Sequence, residues 1–385
     1  MTAGAAAKLA FTVQPGNVVA GISIAPAVQV SIEDAQGNLV TTATNQVTIA
    51  IATNPSSGTL SGTAQLNAVA GVATFSTLNI NNTGTGYTVA ANATGLTTAA
   101  SSAFNVLVGA ASKLAFTVPP SSVAAGGAIA PSVAVSIEDA LGNVVPTATT
   151  QVTIAIGTNP SSGTLSGTAQ LNAVAGVAAF STLSINKVGT GYTLTASATS
   201  LTTATSGAFN VTAGAAAKVV FTAQPTNTTA GAAISPAVQV TVEDSQNNVV
   251  TTATNQITIA IGTNPSSGTL SGLAQVNAVA GVATFSNLSI NSAGTGYTLA
   301  ASAAALTGAT SNAFNVLVGA PAKLAVTTQP TSAAAGAAIN PAVQVSVEDS
   351  QGNIVITLST GTYNWSVTVQ NNNNSAQFTT TYVVP

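Results

Sequence analysis

KLAFT at residues 8–12 opens a pattern that returns as KLAFT at 113–117, KVVFT at 218–222 and KLAVT at 323–327. The spacings are 113−8, 218−113 and 323−218, each 105 residues. Further along, the same period holds. SSGTLSG starts at Ser56, Ser161 and Ser266, NAVAGVA at Asn67, Asn172 and Asn277, GTGYT at Gly84, Gly189 and Gly294, and AFNV at Ala103, Ala208 and Ala313. A fixed period this long marks a tandem array of whole domains, because short-repeat solenoids use units of about 20–50 residues.

Within a repeat the local signals are β. Leu9, Phe11 and Val13 alternate with Lys8, Ala10 and Thr12, and Val28, Val30 and Ile32 alternate with Gln29, Ser31 and Glu33. Apolar residues on one phase of a period of two read as half-buried strands. Ala-rich pieces do not read as helix, because Gly, Pro, Thr and Asn interrupt them every few residues. DAQGN at Asp34–Asn38 reads as a turn, and its Gly37 becomes Gly142, Asn247 and Gly352 in the other copies. Gly and Asn are the residues that tolerate positive φ, so a left-handed backbone position is expected there. Pairing Lys8–Gln14 antiparallel with Val28–Asp34 would set Lys8 opposite Asp34. About 100 residues of short strands fit an immunoglobulin-type sandwich. The expected fold is therefore all-β: tandem immunoglobulin-like β-sandwiches, three complete repeats (1–110, 111–215, 216–320) and a partial, divergent fourth (321–385).

Composition narrows function. Charged residues are 3% of the chain, against about 25% in ordinary globular proteins. There are five basic residues, all Lys, no His and no Cys. Nucleic-acid binding needs clustered cations to neutralise phosphates, and here they are scattered. No apolar run reaches the roughly 18 residues of a membrane span. The start, MTAGAAAKLAF, lacks a basic stretch followed by an apolar one, so it does not read as a signal peptide. It nearly repeats VTAGAAAKVVF at 211–221, so it reads as the edge of a fragment or processed chain. Enzyme chemistry is not expected. Ser–His and Cys–His pairs are impossible, and Glu33 and Asp34 are strand neighbours that point to opposite faces. No cofactor is expected. Thr, Ser and Asn in place of charge fit an extracellular, secreted or cell-surface protein.

The residues PAVQVSIEDAQGNLV, GVATFSTLNI, GTGYTVAANATG and SSAFNV resemble the bacterial Ig-like repeats of invasin- and intimin-type surface adhesins. The resemblance runs from Lys8 to about Val316 and into the fourth copy as far as Val355. It implies a secreted array stacked as a stiff rod, holding a binding module away from the cell. Tyr87, Tyr192 and Tyr297 stand where such sandwiches place a tyrosine corner. The partners implied are neighbouring repeats of a longer chain or other copies of itself, with any host or matrix ligand unknown.

Apart from Lys187, every charge belongs to one cluster per copy: Lys8, Glu33 and Asp34; Lys113, Glu138 and Asp139; Lys218, Glu243 and Asp244; Lys323, Glu348 and Asp349. Strand geometry places each cluster at the pole that faces the preceding repeat. Glu33, Asp34, Glu138, Asp139, Glu243 and Asp244 are weak candidates for Ca²⁺, which takes 6–8 oxygens. Two acids with a lysine beside them are few for it. Lys8, Asn105 and Glu33 or Asp34 also match, by type, the residues of a self-formed isopeptide crosslink in some surface Ig-like domains. Asn105, however, reads as an exposed strand residue. The seven Asn-x-Ser/Thr sequons shift between copies and read as chance.

The fourth copy diverges after Ile356, and three expected strands have no counterpart in it. An apolar sheet face and open edges are expected there. Residues 363–384 read as a hairpin carrying Tyr363, Trp365, Phe378 and Tyr382, the aromatics outside the repeat scheme. Those four are candidate assembly or ligand contacts. Two functions stay open: a structural stalk of an adhesin or filament subunit, and a glycan- or protein-binding module acting through residues 357–385.

Overall fold

Strand alternation in the KLAFT segment builds the first edge of a sandwich. The computed structural model describes residues 2–334, 336–355, 361–371 and 374–384; from residue 356 onward, only backbone and pairing are described. Repeat 1 contains β1 (Lys8–Val13), β2 (Val18–Val19), β3 (Val28–Glu33), β4 (Gln46–Thr53), β5 (Leu60–Ser61), β6 (Gln65–Asn67), β7 (Val72–Phe75), β8 (Asn79–Ile80), β9 (Gly84–Asn92), β10 (Ala99–Ala100) and β11 (Phe104–Leu107). One sheet runs β1-β3-β7. The other runs β2-β11-β9-β4-β6, with β10 beside β9. A two-stranded ribbon pairs β5 with β8.

The sheets meet through the apolar phases read from sequence. Val28, Val30 and Ile32 of β3 and Phe75 of β7 are buried against Val47 and Ile49 of β4, Tyr87 and Val89 of β9, and Phe104 and Val106 of β11. Emptying such a site, as in Phe75→Ala, costs about 3–5 kcal/mol because the lost contacts leave a cavity. Phe11 packs at the margin of this core, half-buried.

The chain divides into two compact units, Met1–Thr212 and Ala213–Pro385. The first unit holds two such cores, within residues 9–106 and 114–211. The second holds one, within residues 219–316, together with the fourth copy. In the fourth copy, Lys323–Thr328 pairs only with Gln344–Glu348 among the described residues. Leu324, Val326 and Ile339 there are 46%, 45% and 44% exposed, whereas Leu9 and Ile24, their counterparts for the first and last, are 4% and 2% exposed. The expected hairpin is present as Gly361–Asn371 paired with Asn374–Val384, with Tyr363 opposite Tyr382 and Val367 opposite Phe378.

The expected register needs one correction. Lys8 pairs with Glu33, not Asp34. A bulge between Phe11 and Val13 absorbs one residue. Val13 opposite Gln29 keeps the expected register, and beyond the bulge every pair is displaced by one.

Two local devices hold each repeat. Gly37, Gly142, Asn247 and Gly352 all have positive φ, at 91°, 93°, 62° and 92°, as the Gly/Asn exchange requires. The Tyr87 hydroxyl donates to the Asn82 carbonyl at 3.0 Å, with Tyr192 to Lys187 and Tyr297 to Ser292 doing the same at 3.0 and 2.9 Å. Each ring is fully buried, so the bond satisfies a hydroxyl that has left water.

Candidate functional site: the aspartate turn and the repeat joint

Each copy carries Asp-x-x-x-Asn: DAQGN, DALGN, DSQNN and DSQGN. The aspartate ends the strand that pairs with the KLAFT strand of its copy, or lies just past that strand's end, and begins the turn. Asp34 Oδ1 accepts the backbone N–H of Gln36 at 3.0 Å and of Asn38 at 2.8 Å. The Asn38 side-chain amide reaches both carboxylate oxygens, at 3.2 and 3.0 Å. Oδ2 also accepts the N–H of Gly4, in the segment ahead of β1, at 2.9 Å. One side chain thus closes the turn and fastens the incoming chain to it. Asp139, Asp244 and Asp349 hold Gly109, Gly214 and Gly319 in the same way, at 3.1, 2.9 and 2.9 Å.

These carboxylates are buried, and donors explain why they stay charged. The Asn38 side-chain amide, then the backbone donors, hold Asp34 well below its ordinary 3.8, at about 2. Burial pushes Asp139, Asp244 and Asp349 upward, but the N–H groups around each outweigh it and leave all three lowered.

The asparagine does a second thing. Asn143 Nδ2 donates to the Asn81 carbonyl at 3.0 Å, and its Oδ1 accepts the Thr83 N–H at 3.1 Å. Both partners belong to repeat 1. In the second unit, Asn353 makes the same pair of bonds, donating to the Asn291 carbonyl at 2.9 Å and accepting the Ala293 N–H at 2.8 Å. In each of these two joints the turn is therefore locked to the loop before GTGY in the copy ahead of it. Sequence reading passed over these asparagines. The signal was there, since Asn stands four residues after Asp in all four copies.

The remaining cluster residues surround the turn. Lys8 meets Glu33 at 3.9 Å, Lys218 meets Glu243 at 3.6 Å and Lys323 meets Glu348 at 3.8 Å. Lys113 instead donates to the Ala140 carbonyl at 3.4 Å, and Lys218 also donates to Asn247. Ser31, Ser136 and Ser346 donate to Glu33, Glu138 and Glu348 at 2.9, 2.7 and 3.0 Å. Such partly exposed pairs contribute about 0–1 kcal/mol each. The Asp oxygens named as calcium candidates already accept N–H groups, which a cation would have to displace. No group of three or more His, Cys, Asp or Glu is placed to hold a metal among the described residues.

Asn105 is not the simple exposed residue expected. It is half-buried, and its Oδ1 accepts the Gly86 N–H at 3.1 Å, bridging the irregular pairing of β9 and β11. Lys8 faces Glu33 instead, so the crosslink residues are held in two separate pairs. The side chains of Tyr363, Trp365, Phe378 and Tyr382 lie outside the described residues.

No family model matches the chain, and no curated protein does. Among solved structures it is similar to FdeC, an Escherichia coli adhesin, at 19% identity over 81% of this chain and 99% of that one, with a TM-score of 0.35. It is similar to invasin, a bacterial integrin-binding protein, at 16% identity over 97% and 78%, with a TM-score of 0.31. A β-glycosidase from Bacteroides vulgatus matches at 15% over 54% and 25%, with a TM-score of 0.25. The chain is a tandem of immunoglobulin-like β-sandwiches. At scores this low the likenesses have no bearing on what these Ig-like repeats bind or do.

Proposed function

We propose that this chain is a non-catalytic structural module of an extracellular surface protein, working as a rod-like stalk. Repeats 1–110, 111–215 and 216–320 each fold around their own core, and the array works by resisting bending. The observation that carries this reading is the Asn143 lock. Two hydrogen bonds cross from repeat 2 to repeat 1, and Asp139 pins the intervening linker at Gly109. A loose string of domains has no use for bonds across its joints. The scarcity of charge and the absence of His and Cys support a mechanical role over a chemical one.

Because the chain has no Cys, spin labels can be placed at will. Val69 and Val174 are 78% and 77% exposed, so Val69→Cys and Val174→Cys place labels on repeats 1 and 2 without touching either core. Pulsed dipolar spectroscopy should give one narrow distance distribution that broadens in Asn143→Ala. A broad distribution without that substitution would sink the stalk reading.

A filament subunit is the second reading, supported by the half-exposed Leu324, Val326 and Ile339 of the fourth copy. Light scattering of the full chain decides it. Polymers that disperse in Leu324→Ser/Val326→Ser favour a filament, and a monomer at all concentrations removes that reading.

A further inference from the structure

The outer face of β4, away from the core, carries Gln46 and Thr48, with Asn92 of β9 directly opposite Thr48. Together with Asn45, Thr94 and Thr98 they line an open groove of about 290 Å³. Repeat 3 has a groove at the same place, about 440 Å³, lined by Asn255, Gln256, Thr258 and Ser302, with Ala304 where repeat 1 has Thr94. These are the positions 210 residues on from Asn45, Gln46, Thr48 and Asn92.

The groove offers hydrogen-bonding side chains that no protein group among the described residues engages. Asn17, Asn38, Asn54, Asn81, Asn82 and Asn105 each fix a turn, loop or strand edge with their side chains. The side chains of Asn45, Gln46 and Asn92 make no hydrogen bond among the described residues. Three amides and three hydroxyls thus converge on one open trough. No Lys, Asp or Glu lines it. Amides present donor and acceptor side by side, which matches adjacent hydroxyls on a sugar ring. The absence of charge disfavours ionic ligands.

We propose that this outer face of repeats 1 and 3 binds neutral polysaccharide. Repeat 2 carries Thr150, Gln151, Thr153 and Ser197 at the same positions. No aromatic ring lines the groove, so each site is weak, and tandem copies on one chain supply avidity. The proposal does not depend on the stalk reading and leaves residues 357–385 out of binding.

The test is biolayer interferometry of the full chain on surfaces coated with dextran, mannan, cello-oligosaccharide or chito-oligosaccharide, with alginate as the anionic comparison. Binding to at least one neutral surface is expected. Gln46→Ala with Asn92→Ala should weaken it about tenfold, as the loss of two ordinary hydrogen bonds would. Adding Gln256→Ala and Ser302→Ala should abolish it. All four side chains lie on outer strand positions and make no internal hydrogen bond, so the melting temperature should hold. Binding to none of the four neutral surfaces, stronger binding to alginate, or binding that survives all four substitutions would overturn the proposal.

Discussion

Asn143 Oδ1 accepts the backbone N–H of Thr83 at 3.1 Å, across sixty residues of sequence and from one repeat to the next. Asn38 makes the same bonds within its own turn, without that reach. The two residues therefore separate the work of the turn from the work of the joint. In hydrogen exchange, Asn143→Ala should speed exchange of the Thr83 amide by about three- to fivefold, the effect of losing one ordinary bond. Asn38→Ala should leave that amide unchanged. Equal effects of the two substitutions would mean that the bond to Thr83 is incidental.

Acid sensitivity follows from the four aspartates. Their folded values lie below the ordinary 3.8, with Asp34 at about 2. A depressed value contributes stability that is complete above the unfolded value and lost as pH falls through the folded one. No His titrates in between. Urea midpoints should be flat from about pH 5 to pH 8 and fall only below about pH 4. In Asp34→Asn the acid fall of repeat 1 should shrink. A slope near pH 6 would contradict this account.

The tyrosine corner gives a local prediction. Tyr87→Phe removes the bond to the Asn82 carbonyl and leaves the ring in place. Repeat 1 should lose about 1–2 kcal/mol, the cost of an unmade bond to a buried group. Chemical denaturation followed by exchange at Val89 and Phe104 amides would show the loss confined to that repeat.

Among the strand lysines, trypsin should find that of the fourth copy first. Lys8, Lys113 and Lys218 sit in strands that pair within a covered sandwich. Lys323 sits in a two-stranded sheet whose Leu324 is 46% exposed, and two strands alone are marginal in water. Limited digestion should cut after Lys323 before it cuts after Lys8, Lys113 or Lys218. First cleavage after Lys113 would show instead that the joints open more readily than the fourth copy.

Much of this was legible in the sequence because the repeat writes its pattern more than once. Val28, Val30 and Ile32 announce a core face by period alone, and the exchange of Gly37 for Asn247 announces a left-handed turn. Period says nothing about a bulge, since Phe11 and Val13 keep their apolar phase whether or not the pairing slips between them. That is why Lys8 meets Glu33 rather than Asp34. The joint was hidden for another reason. Asn38 and Asn143 occupy the same place in the same motif, and only the presence of a preceding loop gives the second its extra bonds. Asn105 and Asn92 are likewise alike as letters, yet one stitches two strands and the other faces an open groove.

The groups that receive Asn143 and Asn353 are main-chain carbonyls and amides, at Asn81 and Thr83 in one case and Asn291 and Ala293 in the other. Thr83 has become Ala293 without disturbing the fit. In these two joints, a plug from the following copy and a socket made of backbone make the connection indifferent to side-chain drift. Duplication of one unit then yields a matching interface at once, so the length of such an array is free to vary with copy number while its joint is inherited unchanged.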